Sequence, residues 1–216
     1  MPVCGGAKMI AVIGAGNVGS ALAQALTRIG EPLCIGVPDP EKYQGLQTTV
    51  PGVAITTVAP AIEQADLVIL AVPYPAALAI ANARPDWQNK ILVDVTNPLA
   101  PGLAGLTLGT HTSAAEAIAA QAHNARVVKA FNTTGAENML NPVYPTGRLM
   151  MPVCSDHIDA RAKVLGLAEA IGFAAVDCGE LAAARYLEPF GMTWIHLAFK
   201  QGRGRAFGFG LLERPA

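Results

Sequence analysis

Charge is scarce in this chain, and neither sign prevails. Only 14% of its 216 residues are Asp, Glu, Lys or Arg, 15 basic against 16 acidic, for a formal net charge of -1. Nucleic acids and anionic membranes are bound through clustered Lys and Arg, so neither is an expected partner and a small molecule is. Cysteine is equally sparse. Cys4, Cys34, Cys154 and Cys178 lie far apart, with no CxxC pair and no histidine at ligand spacing. That argues against a zinc site or a dithiol redox motif and leaves four reduced packing residues. No Ser-His-Asp arrangement, metal-spaced cluster or obvious carboxylate pair is present either. What abounds is apolar: 52% of the residues are hydrophobic, enough for a sizeable core in one large domain or two small ones.

The first long uncharged run extends from Met9 to Thr27. As a secretory h-region behind Lys8, or as a membrane span, it is broken up by Gly14, Gly16, Asn17 and Gly19. A cytoplasmic location is therefore expected. As strand, turn and helix, every residue finds a place. Residues 9–13 form a buried-type strand, Gly14-Ala-Gly16-Asn-Val-Gly19 reads GxGxxG, and Ala21, Leu22, Ala25, Leu26 and Ile29 follow at helical spacing before Gly30. A dinucleotide pyrophosphate needs bare backbone N–H groups and the positive end of a helix. Gly14 suits the tight turn, Gly16 the close approach to phosphate, and Gly19 the packing of helix on strand.

The same rhythm continues. Residues 33–37, 53–56, 67–72 and 91–95 read as strands, with helices from about 41 and over 76–83. Ser113 to Glu116 resembles a capping box, which gives both residues a structural role. Further strands are expected at 126–130, 149–153 and 174–177, and a helix capped by Asp156 at 157–171. A helical segment over 181–200 should kink or divide at Pro189. Strands alternating with helices predict an α/β fold: a Rossmann-type, doubly wound, mostly parallel sheet extended by C-terminal strands. Residues 1–145 would form the dinucleotide-binding domain. Residues 146–216 would complete the sheet and roof the cleft within one compact unit.

In order, GAGNVGSALAQAL, AVPYPAALA, VDVTNPL, VKAFNTTGAEN, MPVCSDHIDAR and VDCGELAAARYLEP resemble the family of coenzyme F-420 dependent NADP oxidoreductases over nearly the whole chain. The pattern is also similar to the cytosolic domain of the six-transmembrane metalloreductases. The resemblance implies NADP as cofactor, a flavin or deazaflavin as hydride partner, and a homodimer. Positioning of two rings and exclusion of water would supply most of the rate.

Carried over by position, Gly14, Gly16, Asn17, Val18 and Gly19 hold the pyrophosphate, while Val72, Pro73 and Tyr74 line the crevice. Tyr74 has two readings, a ring that stacks on a ligand and a half-buried loop aromatic. Asn97, Pro98, Asn132 and Thr133 reach the crevice mouth, where their polar groups orient the nicotinamide carboxamide or satisfy their own loops. Asn132 and Thr133 are the orienting candidates. His123 and His157 read as solvated, and His196 as a packed helix histidine in preference to an acceptor contact. Arg185 and Glu188 match the family's acceptor side or form a solvated pair.

The choice of dinucleotide turns on residues 34–43. Where the family usually places an arginine for the 2'-phosphate of NADP, this chain has Pro38. Asp39 follows, twenty residues past Gly19, the distance at which a carboxylate bonds the ribose hydroxyls of NAD. With Lys42 nearby as partial compensation, NAD is expected to serve comparably. Two alternatives accompany the hydride-transfer reading: a reductase of a small imine or hydroxy acid, and a non-catalytic dinucleotide-sensing module.

Overall fold

The computed structural model describes residues 9–212 and 214, so Cys4 and Lys8 lie outside the described residues. Six strands form the central sheet: β1 (Ile10–Ile13), β2 (Leu33–Gly36), β3 (Ala54–Thr56), β4 (Leu67–Leu70), β5 (Ile91–Asp94) and β6 (Arg126–Lys129). Their order is β3-β2-β1-β4-β5-β6, with every neighbouring pair parallel. The chain crosses from one half of the sheet to the other between β1 and β4, and ligands of such sheets bind beyond the strand ends at that point.

Side-chain alternation explains the two covered faces. Ile10 and Val12 of β1 face the cluster that includes α1 (Asn17–Arg28). Ala11 and Ile13 face the opposite cluster, with α2 (Val58–Gln64), α3 (Tyr74–Asn82) and α4 (Ala114–Gln121). Burial of one Val, Leu or Ile contributes about 1.5–3 kcal/mol against at most about 1 kcal/mol from intrinsic strand preference. Two-sided burial therefore decides this arrangement. Ser113 caps α4 as expected, its Oγ accepting from Glu116 N at 3.1 Å.

After β6 come a short helix α5 (Ala136–Leu140), a hairpin of β7 (Val143–Tyr144) and β8 (Gly147–Arg148), and then β9 (Met150–Val153), α6 (Ile158–Ile171) and β10 (Ala174–Asp177). The expectation that the C-terminal strands continue the central ladder needs refinement. β9 and β10 pair in parallel with each other and join β6 through one antiparallel bridge, Lys129 to Cys154. Asp156 does not cap α6. The cap position is His157, without a side-chain bond, and Asp156 Oδ1 instead accepts from Leu181 N at 2.9 Å, a tertiary contact that holds the next segment.

That last segment divides, though not at the proline. A 3-10 turn at Leu181–Ala183 leads into α7 (Ala184–Ile195), which runs through Pro189 and changes to a π turn at His196–Lys200. Pro189 is exposed, so water can satisfy the carbonyl its nitrogen cannot serve. The segment after β2 is a 3-10 helix, Pro40–Thr48, with no buried residue to hold an α-helical face. Among the described residues no helix is long and apolar enough to cross a membrane.

Candidate functional site

A crevice of about 330 Å³ opens at the C-terminal ends of β1, β4, β5 and β6. The phosphate side is built by the three glycines, which have different jobs. Gly14 has φ +99, and a Cβ there would stand 2.4 Å from Ala71 O. At Gly19 a Cβ would stand 2.0 Å from Gly14 O. Protein packing alone requires both. Gly16 meets nothing within 4 Å, and its φ of -72 suits any residue, so the chain itself gives no reason for glycine there. The space lies open at the phosphate side of the crevice. No side chain caps the first turn of α1, and its leading N–H groups face that space.

The opposite wall is made by two amides. Beyond β6 the chain turns at Phe131, a bulky residue held at φ +58, and this brings Asn132 against Asn97. Asn97 Nδ2 donates to Asn132 O at 2.8 Å, and Asn132 Nδ2 donates to Asn97 Oδ1 and Leu187 O, both at 3.0 Å. Helix α7 approaches this pair through Gly191, where a Cβ would lie 2.6 Å from Asn132 O. Two buried oxygens at the crevice have no protein partner, Asn132 Oδ1 and Thr96 Oγ1. Buried polar atoms are almost always bonded, so this pair marks a place for ligand donors and acceptors.

Beneath the crevice lies a fully buried charge cluster. Lys129 Nζ donates to Asp94 Oδ2 at 2.8 Å and to Thr96 O at 2.6 Å, and lies 3.0 Å from Glu188 Oε1. Glu188 also accepts from Ala114 N and Ala115 N at the start of α4. Burial lowers the Lys129 pKa, but the carboxylates of Asp94 and Glu188 outweigh it and hold the ammonium above its usual range. The cluster locks α7, α4 and the loop after β5 together under the ligand space. Burial, followed by the charges of Glu188 and Asp94, pushes the Tyr74 phenol up.

Of the residues singled out in the sequence, Gly16, Asn17, Val18, Val72, Pro73, Tyr74, Asn97 and Asn132 line this one crevice. Gly14 and Gly19 stand behind it. Pro98 and Thr133 are not among the lining residues, although Thr133 Oγ1 is also buried without a protein partner. Pro98 is buried one residue past Asn97, its carbonyl accepting from Thr107 N at 2.7 Å, and Thr133 is buried while Thr134 takes the lining position. Pro38, Asp39 and Lys42 sit apart, past the end of β2, where Gly14 N reaches Gly36 O. Lys42 Nζ is 2.9 Å from Asp39 Oδ2.

His196 is exposed beside Gln201, neither packed nor in the crevice, because the π turn rotates it outward. Arg185 and Glu188 are not a pair. Arg185 Nε meets Glu116 Oε2 at 2.9 Å while Glu188 faces the interior. Missed by sequence reasoning were Trp194, Phe199 and Arg205 in the crevice lining and the buried charge of Lys129. A lysine inside the apolar run VVKAF was the one signal available for the last.

The profile described as NADP oxidoreductase, coenzyme F420-dependent, matches residues 9–98. A provisionally assigned F420-dependent NADP-reductase from Arthrobacter sp. FB24 superposes with a TM-score of 0.86 at 29% identity, covering 94% of this chain and 99% of that one. A hypothetical protein from Sinorhizobium meliloti gives 0.78 at 33% identity over 85% and 91%. Over residues 9–98 the chain thus resembles the coenzyme F420-dependent NADP oxidoreductase family. Metalloreductase STEAP3 of Rattus norvegicus is 30% identical over 183 residues, 84% of this chain and 36% of that protein. The chain thus spans about a third of the length of that curated relative. The family is one of NAD(P)-dependent oxidoreductases, and the open space at Gly16 with the unpartnered oxygens of Thr96 and Asn132 fits a dinucleotide.

Proposed function

We propose that this chain passes hydride between NADP(H) and a flavin or deazaflavin, both bound in the one crevice. The observation that carries the reading is the chemistry of the lining. Four aromatic residues, Tyr74, Phe131, Trp194 and Phe199, and two coupled amides line the space, and among the described residues no carboxylate, histidine, lysine or cysteine does. Imine or hydroxy-acid reduction needs a proton delivered to nitrogen or oxygen. The only weak acid in the wall is the Tyr74 phenol, and its raised pKa makes it a poorer donor.

A reduced nicotinamide supplies a hydride, two electrons on one hydrogen, to an acceptor ring set against it. The protein's part is placement. The first-turn N–H groups of α1 and the side chain of Asn17 receive the pyrophosphate. Asn132 Oδ1 and Thr96 Oγ1 orient the carboxamide, each already held at its other end by the protein. Trp194, Ile195 and Phe199 form an apolar wall that excludes water from the reacting faces.

Stopped-flow oxidation of NADPH tests this. Bleaching of the NADPH absorbance on addition of FMN or a 5-deazaflavin, and not of a cyclic imine or keto acid, is expected. Turnover on the imine alone would replace the reading with the second one. Binding of NADPH without turnover on any acceptor would make the chain a sensor.

A further inference from the structure

Where β1, β2 and β4 end on Ile13, Gly36 and Leu70, the neighbouring strands β5 and β6 end on charge. Asp94 and Lys129 stand side by side in register, and Glu188 of α7 closes on the same ammonium. One ammonium against two carboxylates leaves one negative charge in excess, sealed from water directly beneath the crevice. Resting on the hydride-transfer reading above, we propose that this excess charge sets the direction of transfer: Asp94 and Glu188 stabilise the oxidised nicotinamide and make the bound dinucleotide a hydride donor.

The cluster reaches the crevice through Thr96, whose unpartnered Oγ1 belongs to the residue that Asp94 Oδ1 holds by its N–H at 2.8 Å and Lys129 Nζ by its carbonyl at 2.6 Å. All four carboxylate oxygens accept hydrogen bonds. Those of Asp94 take Thr96 N and Lys129, and those of Glu188 take Ala114 N, Ala115 N and Lys129. The N-terminal end of α4 offsets at most about half a charge, so the remainder stays negative. Its field is felt in the wall. After burial, Glu188 and Asp94 push the Tyr74 phenol up, and Lys129 opposes them with less effect. Arg205, the one cation in the lining, is matched by Glu137 at 2.9 Å.

A structural role alone does not call for these charges, because well-packed apolar side chains often stabilise an interior as well as a buried ion cluster or better. Hydride transfer does call for them. As the C4–H bond of the reduced nicotinamide breaks, its electron pair leaves with the hydrogen for the acceptor ring, which is reduced, and the nicotinamide ring goes from neutral to singly positive. A fixed negative charge below the ring favours the side of the reaction on which that positive charge exists, and needs no reorganisation to do so. Burial also removes the cluster from the screening of salt.

The test is calorimetric and needs no acceptor: dissociation constants for NADP+ and for NADPH are measured on the same protein, at low and high salt. Wild type is expected to bind NADP+ at least as tightly as NADPH. Asp94→Asn and Glu188→Gln each remove the excess charge and should weaken NADP+ relative to NADPH by about tenfold, the scale of one charge acting over about 10 Å. For a two-electron couple that raises the bound potential by about 30 mV. The change in ratio should be the same at both salt concentrations. Equal weakening of both forms in both variants would make the cluster structural only and leave hydride transfer standing. A change in ratio that vanishes in high salt would assign it to the exposed rim and overturn the proposal as well. Should neither variant fold, wild type decides alone, since NADPH bound tenfold or more tightly than NADP+ would refute it. If wild type binds neither form, the dinucleotide reading fails first and this inference with it.

Discussion

Glu188 and Lys129 face each other 3.0 Å apart in the interior, one from the last α-helix and one from the last strand of the central sheet. The contact spans 59 positions of sequence, 129 to 188, and both side chains are sealed from water. Removing one partner of such a group leaves the others charged and unpaired. Lys129→Met is therefore expected to cost about 3–5 kcal/mol, read as a lower urea midpoint at an unchanged slope. The pH dependence follows from the raised pKa of Lys129. Its contribution is complete below the ordinary lysine value and is lost as pH rises through the higher folded value, so the difference between wild type and variant should narrow only in strong alkali.

Gly16 and Gly19 should separate binding from folding. Gly16→Val adds a side chain where the protein has no atom within 4 Å, so the variant should fold with its normal melting temperature and fail to bind NADPH in calorimetry. Gly19→Ala forces a Cβ to 2.0 Å from Gly14 O and should cost about 1–3 kcal/mol of stability, since backbone must move. Normal NADPH affinity in Gly16→Val would remove the phosphate from this loop.

Asn132→Ala is expected to lower kcat about tenfold with a smaller change in NADPH affinity, the loss of roughly one oriented hydrogen bond. Asn97 would lose the donor to its Oδ1, 3.0 Å away, and could then turn. Equal effects on kcat and on the NADPH dissociation constant would make Asn132 a binding group only.

At the adenosine end, Pro38 offers neither charge nor N–H, and Lys42 is engaged by Asp39. A carboxylate about 4 Å from a phosphate costs roughly 1–4 kcal/mol, depending on exposure. Comparable kcat/KM for NADPH and NADH is expected in the wild type, and about tenfold more NADPH preference in Pro38→Arg. A wild type that already favours NADPH a hundredfold would transfer the 2'-phosphate to another cation.

Glu116 carries a depressed pKa, set first by its hydrogen bonds from Arg185, against which burial works, and then by Ser113. A depressed carboxylate stabilises the fold fully above its unfolded value and loses that contribution as pH falls through the folded one. Glu116→Gln should therefore melt below wild type at neutral pH, and the gap should close as pH drops below about 4. A gap that stays constant to pH 3 would mean that the Arg185 contact contributes nothing through charge.

Local chemistry made much of this protein legible without coordinates. The alternation of Ile10 to Ile13, the glycine spacing after it and the Ser113 cap are each decided within a few residues, by burial period, steric freedom and one short hydrogen bond. The six-stranded order and the crevice at its switch point follow from those local rules repeated. The GxGxxG spacing also led to the expectation of a phosphate site, although only the packing showed that Gly14 and Gly19 are demanded by protein atoms and Gly16 is not.

Tertiary structure decided whatever depends on which distant groups meet. Asp156 has the sequence position of a helix cap, but Leu181 N claims its carboxylate. Arg185 and Glu188 have the spacing of a helical pair, yet α7 lies on α4 so that one turns out to Glu116 and the other in to Lys129. No local rule could foresee either, because a side chain's partner is chosen by the packing angle of its element as a whole. Which residues beside Asn97 and Asn132 line the crevice is likewise set by the bends after β5 and β6, and the bend at Phe131 is held by distant atoms, Met151 Sδ and Phe173. Sequence determined the elements and the ligand class. Only long-range contacts could choose which polar atoms were spent on the fold and which were left for the ligand.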